Sequence, residues 1–193
     1  MKNTLVVLLA TVMLFAVHLL MAQPRFAIEL RPGVSFATQE LGDADLKTGL
    51  GFEGMLSYRF TNTVGAYAGW GWNRFSADQS FAGADADFEE TGYLFGVQFN
   101  PTLGDGALGL YLRAGALVNH IEVENKGGDI ISDSGHGLGY QLGAGLDVGL
   151  GSNWQLRPGL KYQSLSRDLE IETTTTPVDL RYFSIAVGIA KNF

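Results

Sequence analysis

His120 and His136 bracket a short stretch that also carries Ser132, Asp133 and Ser134. These are the residue types of a hydrolase, with a hydroxyl nucleophile, an imidazole base and a carboxylate to orient it. No local pattern ties either serine to a base, so a hydrolase is kept only as an alternative. The expectation is that the chain is not an enzyme, and no catalytic residue is assigned. Two histidines without a convincing third ligand do not make a zinc site, and they read as surface residues. Asp43, Asp45, Asp78, Asp85, Asp87, Asp129 and Asp133 are spaced acids that lack the glycine and terminal glutamate of a calcium loop. No metal and no cofactor is therefore expected.

A second set of charges lies inside otherwise apolar, alternating segments: Glu29, Arg31, Glu53, Arg59, Arg113, Asp147, Arg157 and Lys161, with Gln98 and Gln141 beside them. Mixed charges of this kind can neutralise one another across a narrow interior, where an unpaired charge is costly. Glu53 with either Arg113 or Lys161 is a candidate pair. The set suits a packed polar plug or an ion-conducting path. An interior walled by eight strands has room mainly for side chains or one small ligand, which favours the plug and leaves passage of ions or small solutes as the competing role.

The elements that would position these residues are strands. In Leu180–Phe193, Phe183, Ile185, Val187 and Ile189 share one parity and Tyr182, Ser184, Ala186, Gly188 and Ala190 the other. A large apolar face opposite a small, weakly polar one is the pattern of a strand with lipid outside and its own lumen inside. The pattern recurs from Phe26, Gly49, Val64, Glu90, Leu108, Leu138 and Trp154, which makes eight segments. Each is near the ~9–11 residues of a tilted crossing, and an even count lets the last strand pair with the first. Connections alternate between short, at 61–63, 101–107 and 149–153, and long, at 38–47, 74–89, 125–135 and 167–179. Pro32 predicts a bulge or kink in the first strand. Large residues change parity at Ile121 and Val123, which predicts either a bulge or a strand continuing above the membrane.

The expected fold is all-β, an eight-stranded antiparallel up-and-down transmembrane β-barrel over residues 23–193. The aromatics Phe26, Phe36, Tyr58, Phe60, Trp70, Trp72, Tyr93, Phe99, Trp154 and Tyr162 would form girdles at its two rims. A soluble eight-stranded barrel would have to wet its glycine–alanine face, which is poor solvent-facing chemistry.

The start of the chain, a basic Met1-Lys2-Asn3 followed by an apolar run to Met21, reads as a signal peptide over residues 1–22. With 13 Lys and Arg against 20 Asp and Glu, the net charge of −7 argues against nucleic acid as a partner. The absence of cysteine excludes a disulfide scaffold.

The leader, the eight amphipathic segments and the terminal phenylalanine resemble small bacterial outer-membrane barrels of the OmpA/OmpX-like, porin-like type. That resemblance implies residence in the outer membrane with both mature termini in the periplasm. It implies outer-membrane lipid and lipopolysaccharide as surroundings, with an extracellular ligand or protein as a possible further partner, and it makes lipid A the substrate of the hydrolase alternative, a lipid A-modifying hydrolase. It also implies that Phe183, Ile185, Val187, Ile189 and Phe193 form the assembly signal read by the outer-membrane insertion machinery.

Overall fold

In a computed structural model, the structure describes residues 25–101, 103, 107–171 and 173–193, and the expected signal peptide at 1–22 lies outside them. The strands are β1 (Phe26–Ala37), β2 (Gly49–Arg59), β3 (Val64–Ser80), β4 (Gly83–Phe99), β5 (Leu108–Glu124), the short β6 (Ile130–Asp133), β7 (Gly137–Gly151), β8 (Trp154–Ile171) and β9 (Thr174–Asn192). All pairings are antiparallel. β1 pairs with β9 and β4 with β5, so the eight long strands close into a ring. β6 is an extra strand on the far end of β5.

Strand parity sorts the side chains as period two requires. Ile28, Leu30, Leu50, Leu56, Phe95, Val97, Leu142, Leu160, Ile185 and Ile189 are exposed on the outside, while Glu29, Arg31, Glu53, Gln98, Arg113 and Arg157 are buried inside. Pro32 brings no bulge. The β1–β9 pairing lapses around it, but Leu30↔Ile189 and Gly33↔Ala186 keep the same register on either side. The turn between β7 and β8 places Ser152 and Asn153 both at positive φ, 49° and 65°, as a two-residue hairpin turn that follows the sheet twist.

Two of the long connections are largely sheet, and a third holds a short strand. β3, β4, β5, β8 and β9 run 17 to 19 residues, well past the membrane-crossing length, and only short turns join β3 to β4 and β8 to β9. Stretches 74–89 and 167–179 are therefore mostly strand, and 125–135 contains β6. Their polarity is reversed relative to the lower barrel. Phe75, Ala77, Ala86, Phe88, Ile121, Val123, Leu165, Leu169, Val178 and Leu180 point inward and form one buried cluster, while Ser76, Asp168, Glu170 and Thr175 face out. In β5 the parity never shifts. Arg113, Leu117, Asn119, Ile121 and Val123 are all buried on one side, and the register with β4 is unbroken from Leu112 to Glu124. The β4–β5 ladder carries no bulge, and the one irregularity of β5 is in its pairing with β6, where Ile131 is skipped between Val123↔Ser132 and Glu124↔Ile130. The surroundings change from hydrocarbon to water, and the apolar face changes sides with them.

The β1–β2 connection closes the top. Leu41 and Ala44 bridge each other and are fully buried in the same cluster. Asp43 Oδ1 accepts from the Phe81 main-chain N–H at 2.6 Å, and Lys47 N donates to Ser76 O at 2.9 Å.

This reversal predicts opposite mutational sensitivities at two heights. Val187→Arg, on the lower outer face, should cost about 2–4 kcal/mol if it lies at the bilayer midplane. Phe88→Ala, in the upper core, should cost about 3–5 kcal/mol. The first should lower the unfolding midpoint in lipid vesicles. The second should open the long hairpins to protease while the lower barrel keeps its heat-shifted electrophoretic mobility.

Candidate functional site

The interior is a column of polar side chains held between the turn end and the apolar cap. Glu29, on β1, lies at its centre. Its Oε2 accepts from Arg113 Nη2 at 2.5 Å and Arg157 Nη1 at 2.8 Å, and its Oε1 from Arg31 Nη1 at 3.3 Å. Three guanidiniums from β1, β5 and β8 thus converge on one buried carboxylate. Arg157 continues toward the turn end, reaching Asp147 at 3.1 Å and Gln155 at 2.7 Å. Arg59, Asn100, Asp147 and Gln155 line the mouth there. Gln98 accepts from Arg113.

Of the two candidate partners for Glu53, Lys161 is the one the structure brings to it, at 2.5 Å. Arg113 turns instead to Glu29 because β5 sets its side chain at that height. Two tyrosines fill the remaining width. Tyr111 bonds Arg31 through its hydroxyl, and its ring lies 5.0 Å from the Arg113 guanidinium. Tyr67 accepts from Gln141 at 3.1 Å and lies 5.4 Å from the same guanidinium. Each needs glycine on the facing wall. A Cβ at Gly159 would collide with the Tyr111 oxygen, and one at Gly115 with that of Tyr67.

Above this layer lies a carboxylate absent from the set expected from sequence. Glu90 is almost fully buried and accepts from Asn119 Nδ2 at 2.5 Å, from Gln163 Nε2 and from Tyr182 Oη at 2.6 Å. Its signal was available: it continues the inward parity of Leu94, Gly96 and Gln98. Nearby, Asn73, Ser35 and Ser184 form a hydroxyl–amide cluster, with Ser35 and Ser184 oxygens 2.7 Å apart. Among the described residues, the column leaves voids of about 30 Å³ beside Glu90 and about 10 Å³ beside Tyr111. Spaces of that size have room for one or two waters at most.

The aromatic side chains expected at the rims lie on the outer parity. Phe26 and Tyr58 pack at 4.8 Å near the turn end, and Lys191 Nζ sits 5.0 Å over Trp154. At the other rim Tyr162 packs on Phe183 at 5.0 Å, and Trp72 donates to Glu89 at 2.8 Å. Phe36, Phe60, Trp70, Tyr93 and Phe99 are exposed on the barrel exterior, as are Phe183, Ile185, Val187, Ile189 and Phe193 of the last strand.

On the upper outer wall, His120 Nδ1 faces Asp133 Oδ1 at 2.9 Å, and His136 stacks on the His120 ring at 4.4 Å. Burial alone would raise the Asp133 carboxyl. The hydrogen bonds from His120 and the Gly135 N–H, with the adjacent imidazoles, outweigh that and hold it below its ordinary value. Both neighbouring hydroxyls donate to main-chain carbonyls, Ser132 to Glu170 at 2.8 Å and Ser134 to Gly135 at 3.0 Å. Among the described residues, neither serine is hydrogen-bonded to an imidazole.

The sequence model of the family described as "outer membrane protein beta-barrel domain" matches residues 7–190. No curated protein matches the sequence significantly. Among solved structures, the chain is similar to Neisserial surface protein A, at 17% identity and TM-score 0.65, covering 87% of this chain and 97% of that one. It is similar to OprG from Pseudomonas aeruginosa, at 15% identity and TM-score 0.57, covering 89% and 97%. It is also similar to outer membrane protein W of E. coli, at 14% identity and TM-score 0.53, covering 90% and 100%. At such identities the likeness is one of fold.

The buried charges make two predictions. Glu29→Ala takes the carboxylate from Arg31 and Arg113, while Arg157 keeps Asp147, and should destabilise the barrel by about 3–5 kcal/mol. Replacing the pair Glu53 and Lys161 together by Leu and Met should cost far less than Glu53→Ala alone, because the double change leaves no unpaired charge. Denaturant unfolding of the folded protein in lipid vesicles measures both.

Proposed function

The chain belongs to the outer membrane protein beta-barrel domain family, and from that premise we propose that it is a plugged barrel with a structural or surface-contact role. Its place is the bacterial outer membrane. The observation that carries the plug is the continuous filling of the lumen: the Glu29 cluster, the Glu53–Lys161 pair and the Glu90 cluster lie below an apolar cap that includes Leu41 and Ala44. A hydrated ion meets bonded charges in the lower layers and a dry cluster in the upper one.

In this reading the leader at 1–22 is removed, and both ends of the mature chain lie in the periplasm with the strand extensions outside. Short turns on one side and long hairpins on the other support that orientation. The lower outer face meets lipid, and the upper rim with its acidic residues meets lipopolysaccharide. The terminal strand, with Phe183, Ile185, Val187, Ile189 and Phe193, carries the signal for the insertion machinery. The extended hairpins are the surface available to an extracellular ligand or protein. The backbone-bonded hydroxyls of Ser132 and Ser134 support a non-enzymatic role.

Planar bilayers test the plug. The expected result is silence at potentials where an open porin conducts. Reproducible, size-selective conductance by the purified protein would replace this reading with that of a narrow pore for ions or small solutes.

A further inference from the structure

The upper outer wall of β5 and β6 holds a group of side chains that the plugged barrel does not use. His120 and Glu122 are two apart on β5 and so share its outer face. Asp133 is the register partner of Glu122 across the β5–β6 ladder. The result is one imidazole nitrogen and two carboxylate oxygens, all within 4.8 Å of one another. His120 Nδ1 lies 2.9 Å from Asp133 Oδ1 and 3.8 Å from Glu122 Oε1. Two ligand atoms on a tetrahedral zinc ion stand about 3.3 Å apart, so these two spacings need to change by about half an ångström, and the two carboxylate oxygens close on the ion from no more than 4.8 Å apart.

Three features separate this group from an ordinary surface ion pair. Glu122 and Asp133 are like charges directly opposite each other on neighbouring strands, an arrangement that costs stability unless something positive sits between them. The acidic residues immediately alongside have such a partner: Arg74 reaches Asp87 at 2.5 Å, Glu89 at 3.2 Å and Glu124 at 3.4 Å. Among the described residues, the salt bridges of Glu122 and Asp133 lead to His120 and to no lysine or arginine. The ligands are also held in place. The Gly135 N–H donates to Asp133 Oδ1 at 2.8 Å, Ser134 Oγ accepts from the Ile121 N–H at 2.8 Å, and the His136 ring packs on His120 with 17° between the planes.

We propose that His120, Glu122 and Asp133 form a surface site for one borderline divalent transition-metal ion, with zinc the best match. The nitrogen ligand selects against calcium and magnesium, which take oxygen. A set of three protein ligands leaves a coordination position for water, and the partly exposed side chains, 13%, 24% and 49%, keep that side open. The ion replaces the proton that joins His120 to Asp133 and clips β6 with its turn onto the barrel wall, close to Tyr93 and His136. The site does not depend on whether the lumen conducts.

Tag-free protein folded in detergent micelles, stripped with chelator and titrated with zinc by calorimetry, tests the site. One equivalent should bind, and His120→Ala and Asp133→Asn should each weaken it by more than about tenfold, while the heat-shifted mobility shows that both variants remain folded. His136→Ala, which removes a stacked ring and no ligand, should keep the stoichiometry at one. Cobalt in place of zinc should give a visible absorption band in the parent protein that is lost in His120→Ala. Absence of saturable zinc binding, equal binding by His120→Ala, or calcium binding as tightly as zinc would each overturn the proposal.

Discussion

A hydrogen-bonded sheet inside hydrocarbon cannot have an edge, because each unpaired N–H or C=O there costs several kcal/mol. The pairing of β1 with β9 is the closure that meets this constraint, and much else in the chain follows from it. Pro32 sits on that seam and removes one donor, yet the register on its two sides is the same. A slip of one residue there would have turned Ile185, Val187 and Ile189 into the lumen. The closure also fixes the width of the ring, so interior side chains must fill what eight strands enclose. Tyr67 and Tyr111 do so because Gly115 and Gly159 leave their hydroxyls room.

The second organising fact is that solvent decides which face is apolar, and solvent changes along a single strand. β5 shows it most directly. Leu112 is exposed low on the strand with Arg113 buried beside it, and higher up Ile121 and Val123 are buried. The backbone and its parity carry on unchanged. The upper barrel is thus built as a small soluble protein, with its own core of phenylalanine, leucine and valine, on top of a membrane protein whose core is charged.

That change of solvent explains what the sequence made legible and what it hid. The lipid-facing stripes of β9 and β7 stand out because large apolar residues recur every second position for a full crossing. The eight-strand count and the membership of Glu29, Arg31, Glu53, Arg113, Arg157 and Lys161 in one inward set follow from parity alone. The extensions were hidden because a reversed stripe, such as Phe75 and Ala77 among Ser76, Asp78 and Gln79, looks like a polar connection when lipid is assumed outside. The partners were hidden for another reason: Glu29 and Arg113 are 84 positions apart, and parity says which side a residue faces without saying at what height. The group at His120 combines both difficulties, since Glu122 and Asp133 join it only once β6 is seen to pair with β5.

Height is also where the interior charges have their physical use. A slip of two residues between neighbouring strands keeps every lipid-facing side chain facing lipid, so the outer face alone leaves such registers nearly equivalent. The same slip carries a side chain about 7 Å along its strand. Moved that far, Arg113 or Arg157 would lose Glu29, and a buried guanidinium would be left without its carboxylate at a cost of several kcal/mol. A barrel plugged with leucine would tolerate the slip far better, because apolar contacts re-form wherever volume permits. A carboxylate clasped by guanidiniums from β1, β5 and β8 adds little net stability over an apolar plug of equal volume. It does separate the native closure from its neighbours by an amount the lipid face cannot supply.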